Sequence, residues 1–537
     1  MRHATWLRPA LWLLAALVFA ARVEKTPEPL FQTSDRCLAC HNGLSTPSGE
    51  DVSIGFDWRP TMMANSSRDP YWQAAVRREI MDHPSAQASI EGECAICHMP
   101  MARFESRRAG REGAIFAHLP FDRDNAEDRL AADGVSCSLC HQIADQKLGS
   151  RESFVGRFVI DTERPLGQRH VYGRFKIEAG LSRIMRTSSG GFVPTESEHM
   201  RKSEVCATCH TLITHALGPK GEVIGELPEQ VPYQEWLHSD YRETASCQTC
   251  HMPALKEETP IASVLGQPRE GVGRHTFVGG NFFLLRMLNR FRHELAVEAL
   301  PHEFDAAAVR TVAFLQNDTA RLSIDRVETR AGRIEADIAV GNLAGHKLPT
   351  AYPSRRAWLH VVVRDGQRRV IFESGALDAQ GLIQGNDNDL DARRFEPHYR
   401  EITSADQVQI YESIMLDSSG AVTTGLLSGV RYIKDNRLLP RGFDKRTADK
   451  QIAVAGDAAQ DPDFTGGGDR VRYVVPLAGA QGPFEVEAEL WYQPISYRWA
   501  ANLRQYDAPE PRRFGRYYDS MAGASGLRLV RATAAAR

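Results

Sequence analysis

The chain has no cysteine beyond Cys250, none outside one repeated pentapeptide, and no long apolar run except at its start. Each shortage excludes something. After residue 21 no stretch approaches the ~20 apolar residues a membrane-spanning helix needs, so the mature chain is expected not to span a membrane. Charge of one sign is lacking: 65 basic residues stand against 68 acidic ones, which leaves no basic excess for nucleic acid. A hydrophobic share of 42% with 25% charged residues excludes wholesale disorder. At 537 residues the chain exceeds what one core serves, so two or more domains are expected.

The apolar run at the start has the form of an export leader. Arg2 and Arg8 precede it, and Leu11, Trp12, Leu13, Leu14, Leu17, Val18 and Phe19 fill it before the small residues Ala20 and Ala21. It is short for a span and right for a cleaved signal over residues 1–21. Its loss makes the net charge two units more negative. The expected location is periplasmic or secreted.

All ten cysteines fall in C-x-x-C-H: Cys37-Leu-Ala-Cys40-His41, Cys94-Ala-Ile-Cys97-His98, Cys137-Ser-Leu-Cys140-His141, Cys206-Ala-Thr-Cys209-His210 and Cys247-Gln-Thr-Cys250-His251. This is the attachment signature of c-type haem. Two thiols at this spacing reach the two vinyl groups of one haem, and the adjacent histidine becomes an axial iron ligand. Tetrahedral zinc does not require a histidine after every second cysteine. A disulfide framework would not repeat the pentapeptide, and a thioredoxin-like motif would occur once. Five covalent haems are expected, with His41, His98, His141, His210 and His251 as proximal ligands.

The sixth position on each iron decides the chemistry. Histidine closes it at low potential, methionine raises the potential, and an open site admits substrate. The distal candidates are His83, before Pro84; His118, in an apolar stretch; His199 and His238, upstream of motifs; and His275, before the Gly279-Gly280-Asn281 turn. His170, His215, His293 and His302 are weaker candidates. Met62 and Met63, beside Trp58, read as packing rather than as sulfur ligands.

From about Ser34 to His302 the residues resemble the multihaem c-type cytochrome superfamily that includes the tetrahaem cytochrome of nitrifying bacteria and the pentahaem nitrite reductase. The resemblance rests on the repeated motifs, Cys-His-Met-Pro at His98 and His251, Gly134-Val-Ser-Cys137, and the Arg274-to-Asn281 segment, which looks like a distal-ligand element. The whole chain is similar to a branch with a β-rich C-terminal domain carrying Gly-His-Lys-Leu-Pro-Thr, here Gly345 to Thr350. The resemblance implies closely spaced, mostly bis-histidine haems. None of the five motifs ends in lysine, unlike the catalytic motif of the pentahaem nitrite reductases.

Residues 22–317 are expected to form a pentahaem domain of short helices and loops, with a helix from Asn281 to Leu300 and another over about Phe304 to Leu315. The spacing of the motifs is too irregular for a solenoid. Period-two alternation then appears at Ile334, Ala336, Ile338 and Val340 and again at Phe484, Val486, Ala488 and Leu490, with a β-prone run at Trp358 to Val363 before an Asp365-Gly366 turn. The fold class expected is α+β multidomain, with residues 318–537 as a mainly antiparallel β-sandwich. Within it His346, in Gly-His-Lys-Leu-Pro-Thr, reads as a turn histidine in preference to one reaching across to cap an open haem, and Asn386-Asp387-Asn388-Asp389-Leu390-Asp391 as a solvated turn in preference to a calcium loop.

These features point to an electron carrier working between redox partner proteins, a quinol-oxidising membrane complex among them. The alternative is an oxidoreductase with one open haem acting on a small nitrogen or sulfur compound. In a third arrangement, compatible with both, the β domain docks the haem module to a partner.

Overall fold

The computed structural model describes residues 29–536, so the expected leader lies outside the described residues. The chain contains both helices and strands, the strands gathered into several sheets. Among the described residues no helix is long and apolar enough to cross a membrane.

Up to residue 318 the chain is a series of short helices joined by loops and two-stranded ribbons. Helix Pro70–Asp82 shows how local chemistry sets the boundaries. Pro70 occupies its first turn, the Asp69 carboxylate accepts the backbone N–H groups of Tyr71 and Trp72, and Pro84 follows its end;. The Asn281–Leu300 expectation shortens to helix Phe282–Arg290. Its six inward residues, Phe282 to Leu285, Met287 and Leu288, are buried. The chain then turns out of the helix through Ala296 at φ 50°, with Val297 N–H donating to the Arg292 carbonyl at 3.1 Å. That six-residue closure stops a helix that apolar periodicity alone would extend. The next helix, Pro301–Asp318, runs longer than expected, with Pro301 in its first turn.

Beyond residue 318, two mainly antiparallel sheets carry the structure. In one, Arg333–Asn342 lies between Ala320–Arg330 and Gly468–Pro476. In the other, Phe484–Gln493 lies between Arg356–Arg364 and Leu527–Ala536. Ile334, Ala336, Ile338 and Val340 turn inward as their alternation requires, all at 2% exposure or less;. The inward residues of both sheets join one apolar cluster.

That cluster does not stop at the sheets. It continues into Tyr71, Ala74 and the Phe282–Arg290 helix. The last helices of the chain, Tyr497–Leu503 and Pro509–Asp519, pack back on Pro70–Asp82. Arg77 pairs with Glu510 at 2.9 Å, and the Tyr71 and Phe514 rings lie 5.2 Å apart. The change of pattern near residue 318 is therefore a change of secondary structure within one shared core.

The acidic stretch from Asn386 is not a solvated turn. Asn388 and Asp389 are buried, and both Asp389 oxygens take the Arg356 guanidinium at 2.8 Å. Asp387 pairs with Arg394 and Asp391 with Arg393. Arginines engage each carboxylate of the stretch.

Candidate functional site

A helical turn puts residues i, i+3 and i+4 on one face. Cys94, Cys97 and His98 end helix Gln87–His98, while Cys137–Cys140 and Cys247–His251 are themselves helical. Each pair of thiols therefore projects to one side with the following imidazole beside it. All ten cysteines and all five motif histidines line one continuous cavity of 1960 Å³. An ordinary small-molecule pocket holds ~300–1,000 Å³.

The motifs meet through their sulfurs. Cys37 is in hydrogen-bond contact with Cys137, Cys97 with Cys209, and Cys206 with Cys247. Cys140 lies close to both Cys206 and Cys209. The first motif thus adjoins the third, and the fourth adjoins the second, third and fifth. Yet among the described residues no three of these cysteines and histidines bring their ligand atoms within 4.8 Å of one another. A compact zinc or iron–sulfur cage has no geometry here.

Four of the five motif imidazoles are held in one tautomer. Nδ1 of His41 donates to the Ile261 carbonyl at 2.5 Å, that of His98 to Ser66 at 2.9 Å, that of His141 to Tyr172 at 2.6 Å, and that of His251 to Val278 at 2.5 Å. A carbonyl only accepts, so Nδ1 carries the proton and Nε2 keeps its lone pair, as a metal-ligating histidine requires. Burial pushes His98 and His210 down to about 4 and holds His141 and His251 below their ordinary value, so the rings stay neutral;. Trp72 stacks on His98 at 4.2 Å and 3° and fixes its plane.

Paired thiols, neutral Nε2 lone pairs and a long apolar cavity fit covalently attached haems. The cavity walls are Trp58, Val76, Ile90, Phe192, Phe277, Leu284 and other apolar side chains.

Of the five distal candidates, only His275 lines the cavity. Its ring stands 6.4 Å from that of His141, 26° from parallel, and burial pushes it down to about 3. His83, His118, His199 and His238 lie off the cavity wall with partners of their own. His118 Nδ1 meets Asp128 at 2.7 Å, and His238 Nε2 meets the Asp444 carbonyl at 3.1 Å. His199 has both nitrogens engaged, by Ser197 Oγ at 2.6 Å and the Ile143 carbonyl at 2.8 Å. His83 lies 3.4 Å from Ser428 Oγ. Two histidines ranked low by sequence do line the cavity, His215 and His346. His346 faces His251 with ring centres 6.2 Å apart and 12° from parallel. Its Gly-His-Lys-Leu-Pro-Thr element is visible in sequence, but its partner is not, because the contact joins residues 95 positions apart in the chain. Met62 and Met63 also line the cavity.

Glu229 is an acid of this wall whose titration burial shifts. Burial pushes it up to about 7 despite hydrogen bonds from Thr214 at 2.6 Å and Gln230 at 3.3 Å. Between its usual pKa and pH 7 the folded chain keeps a proton the unfolded chain has lost. This group therefore supports folding in acid and withdraws that support as pH rises through 7. Replacing it, Glu229→Gln, is expected to flatten the fall in stability from pH 4 to 8 by up to about 3 kcal/mol. Urea unfolding at a series of pH values measures this, and parallel profiles would contradict it.

A separate buried trio, His398, Asp461 and Asp469, has metal-like spacing. Its hydrogen bonds assign it otherwise. The Asn436 amide is oriented by the Glu412 N–H and the Ile410 carbonyl, and its nitrogen donates to His398 Nδ1 at 3.1 Å. Gln409 donates to the same nitrogen at 2.9 Å. The proton therefore sits on Nε2, facing Asp461 at 3.1 Å, and the imidazole has no lone pair left for an ion.

The fold and this cavity define a class: a scaffold of short helices and sheets around one large cavity onto which five Cys-x-x-Cys-His motifs open. The chain is similar in fold to the penta-heme cytochrome c552 from Thermochromatium tepidum, with a TM-score of 0.53 at 15% sequence identity over 95% of this chain and 100% of that one. No family model and no curated protein matches the chain.

Proposed function

We propose that the chain is a multihaem c-type cytochrome that carries five covalently attached haems and transfers electrons, exported to the periplasm and serving a respiratory chain. The observation that carries this reading is the single cavity onto which all five Cys-x-x-Cys-His motifs open. Its solved structural counterpart is described as penta-heme. Cys37 and Cys40, Cys94 and Cys97, Cys137 and Cys140, Cys206 and Cys209, and Cys247 and Cys250 would form the thioethers. His41, His98, His141, His210 and His251 would supply the proximal nitrogens, and His275 a distal one.

Bound haem supplies reversible one-electron chemistry. The protein's own part is placement. The sulfur contacts set attachment points side by side from the first motif through the third to the fourth, where the second and fifth join. The carbonyl-anchored imidazoles need no reorientation when the metal charge changes. The partners are redox proteins, including a quinol-side donor. In this reading the two-sheet region is a mainly antiparallel β-sandwich, beginning near residue 318, that closes the haem-bearing region.

Purified protein from a host with intact haem ligation is expected to have the mass of the mature chain plus five haems, and a lower mass would refute the count. The oxidised protein is expected to show low-spin electron paramagnetic resonance from all five irons. A stoichiometric high-spin signal would favour the second reading, a haem oxidoreductase. What supports that reading is Arg355, whose charge bears on His210 inside the cavity.

A further inference from the structure

We propose that His346 is the axial ligand opposite His251, so that the iron held at the fifth motif is gripped from both halves of the chain. The inference rests on the haem reading above and adds one residue to it.

The ring centres of His251 and His346 are 6.2 Å apart and the planes 12° from parallel. That is too far for stacking, which Trp72 and His98 achieve at 4.2 Å. An imidazole nitrogen sits ~2 Å from a bound metal, with its ring centre about 1 Å behind it, so two imidazoles across one metal ion have centres about 6 Å apart. The tautomers agree. His251 Nδ1 donates to the Val278 carbonyl at 2.5 Å and His346 Nδ1 to its neighbour Lys347's carbonyl at 2.9 Å. Both Nε2 atoms are therefore acceptors, and neither can hydrogen-bond to the other. Two imidazoles at this centre spacing, each with its Nε2 lone pair uncommitted, match a pair that grips one metal ion.

The loop that presents His346 is held against the helix before the fifth motif by buried charge. Lys347 Nζ meets Asp435 at 2.7 Å, Arg437 meets Asp435 at 2.8 Å, and Arg437 meets Glu235 at 3.1 Å. Glu235, on helix Pro232–Leu237, also accepts the Lys347 N–H at 3.1 Å and the Thr350 hydroxyl at 2.5 Å. Gly345 lies flat on Tyr241 and Trp236, where an added Cβ would stand 3.3 Å and 3.5 Å from their atoms. Tyr241 donates to the Leu343 carbonyl at 2.7 Å. These contacts hold the His346 loop in place through protein groups alone. They make Glu235, Lys347, Asp435 and Arg437 positioning residues.

The test compares full-length holoprotein with His346→Ala. The variant is expected to keep the wild-type mass, gain a high-spin ferric signal worth one iron in five, and bind one more equivalent of carbon monoxide when reduced. Added imidazole is expected to restore the low-spin signal. Unchanged spin count and carbon monoxide stoichiometry, with five haems attached, would overturn the assignment. A wild-type mass short of five haems instead sinks the haem reading itself. Should His346→Ala not accumulate, His346→Met decides. A thioether in place of imidazole raises the potential of one haem, and a redox titration that matches wild type at every step counts against the proposal.

Discussion

Made in a host that cannot attach haem, the chain is expected to show no cooperative unfolding transition and to be cut rapidly between residues 29 and 318. The reason is the size of the cavity. At ~24 cal/mol per Å³ of unfilled apolar volume, 1960 Å³ corresponds to a penalty on the order of 45 kcal/mol. Domains are stable by only ~5–15 kcal/mol. Water entering the polar parts of the wall lowers the figure, yet a third of it already equals the whole stability of the fold. Circular dichroism melts and limited proteolysis of cofactor-loaded and cofactor-free protein test this. A cofactor-free chain melting cooperatively at the loaded protein's temperature would mean that the cavity walls support themselves.

Asp435→Ala is expected to cost about 3–5 kcal/mol, the range for breaking a buried ion pair from one side. Asp435 sits between Lys347 and Arg437, and all three are buried. Burial works against its charge, but Arg437 and then Lys347 outweigh it and hold its carboxyl well below the usual carboxylate range. The sign follows. The stabilisation is complete above the unfolded pKa of ~4, and it is lost as pH falls toward the depressed folded value. Urea midpoints are expected to drop for Asp435→Ala at neutral pH and to converge with wild type in strong acid. A variant within 1 kcal/mol of wild type at pH 7 would show that Glu235 alone balances the two cations.

Much of the architecture is legible in the residue pattern. The alternation at Ile334 to Val340 becomes strand Arg333–Asn342, and that at Phe484 to Leu490 becomes Phe484–Gln493. Period-two burial leaves a direct mark in composition, because each inward position excludes polar side chains. The five Cys-x-x-Cys-His motifs are equally legible, and a helical turn brings their residues three and four apart to one face of the cavity;. What fails to show is anything decided by distant partners. His346 lies in a loop whose position depends on Asp435 and Glu235, on either side of it in the chain and far away. His118 and His199 look no different from His275 in sequence. They differ in where the fold places them: His275 lines the cavity, and His118 and His199 lie off its wall. The shared core was hidden for the same reason. Glu510 and Phe514 meet Arg77 and Tyr71 across more than four hundred residues.

That long-range closure bears on how the protein is assembled. A chain made from its N-terminus presents all five pentapeptides before His346, which lines the same cavity, exists. The wall of the cavity therefore draws on residues far down the chain, and helix Pro70–Asp82 gains its covering from Tyr497–Leu503 and Pro509–Asp519 only after more than four hundred further residues have been made. Closure comes late, with those helices acting as the latch.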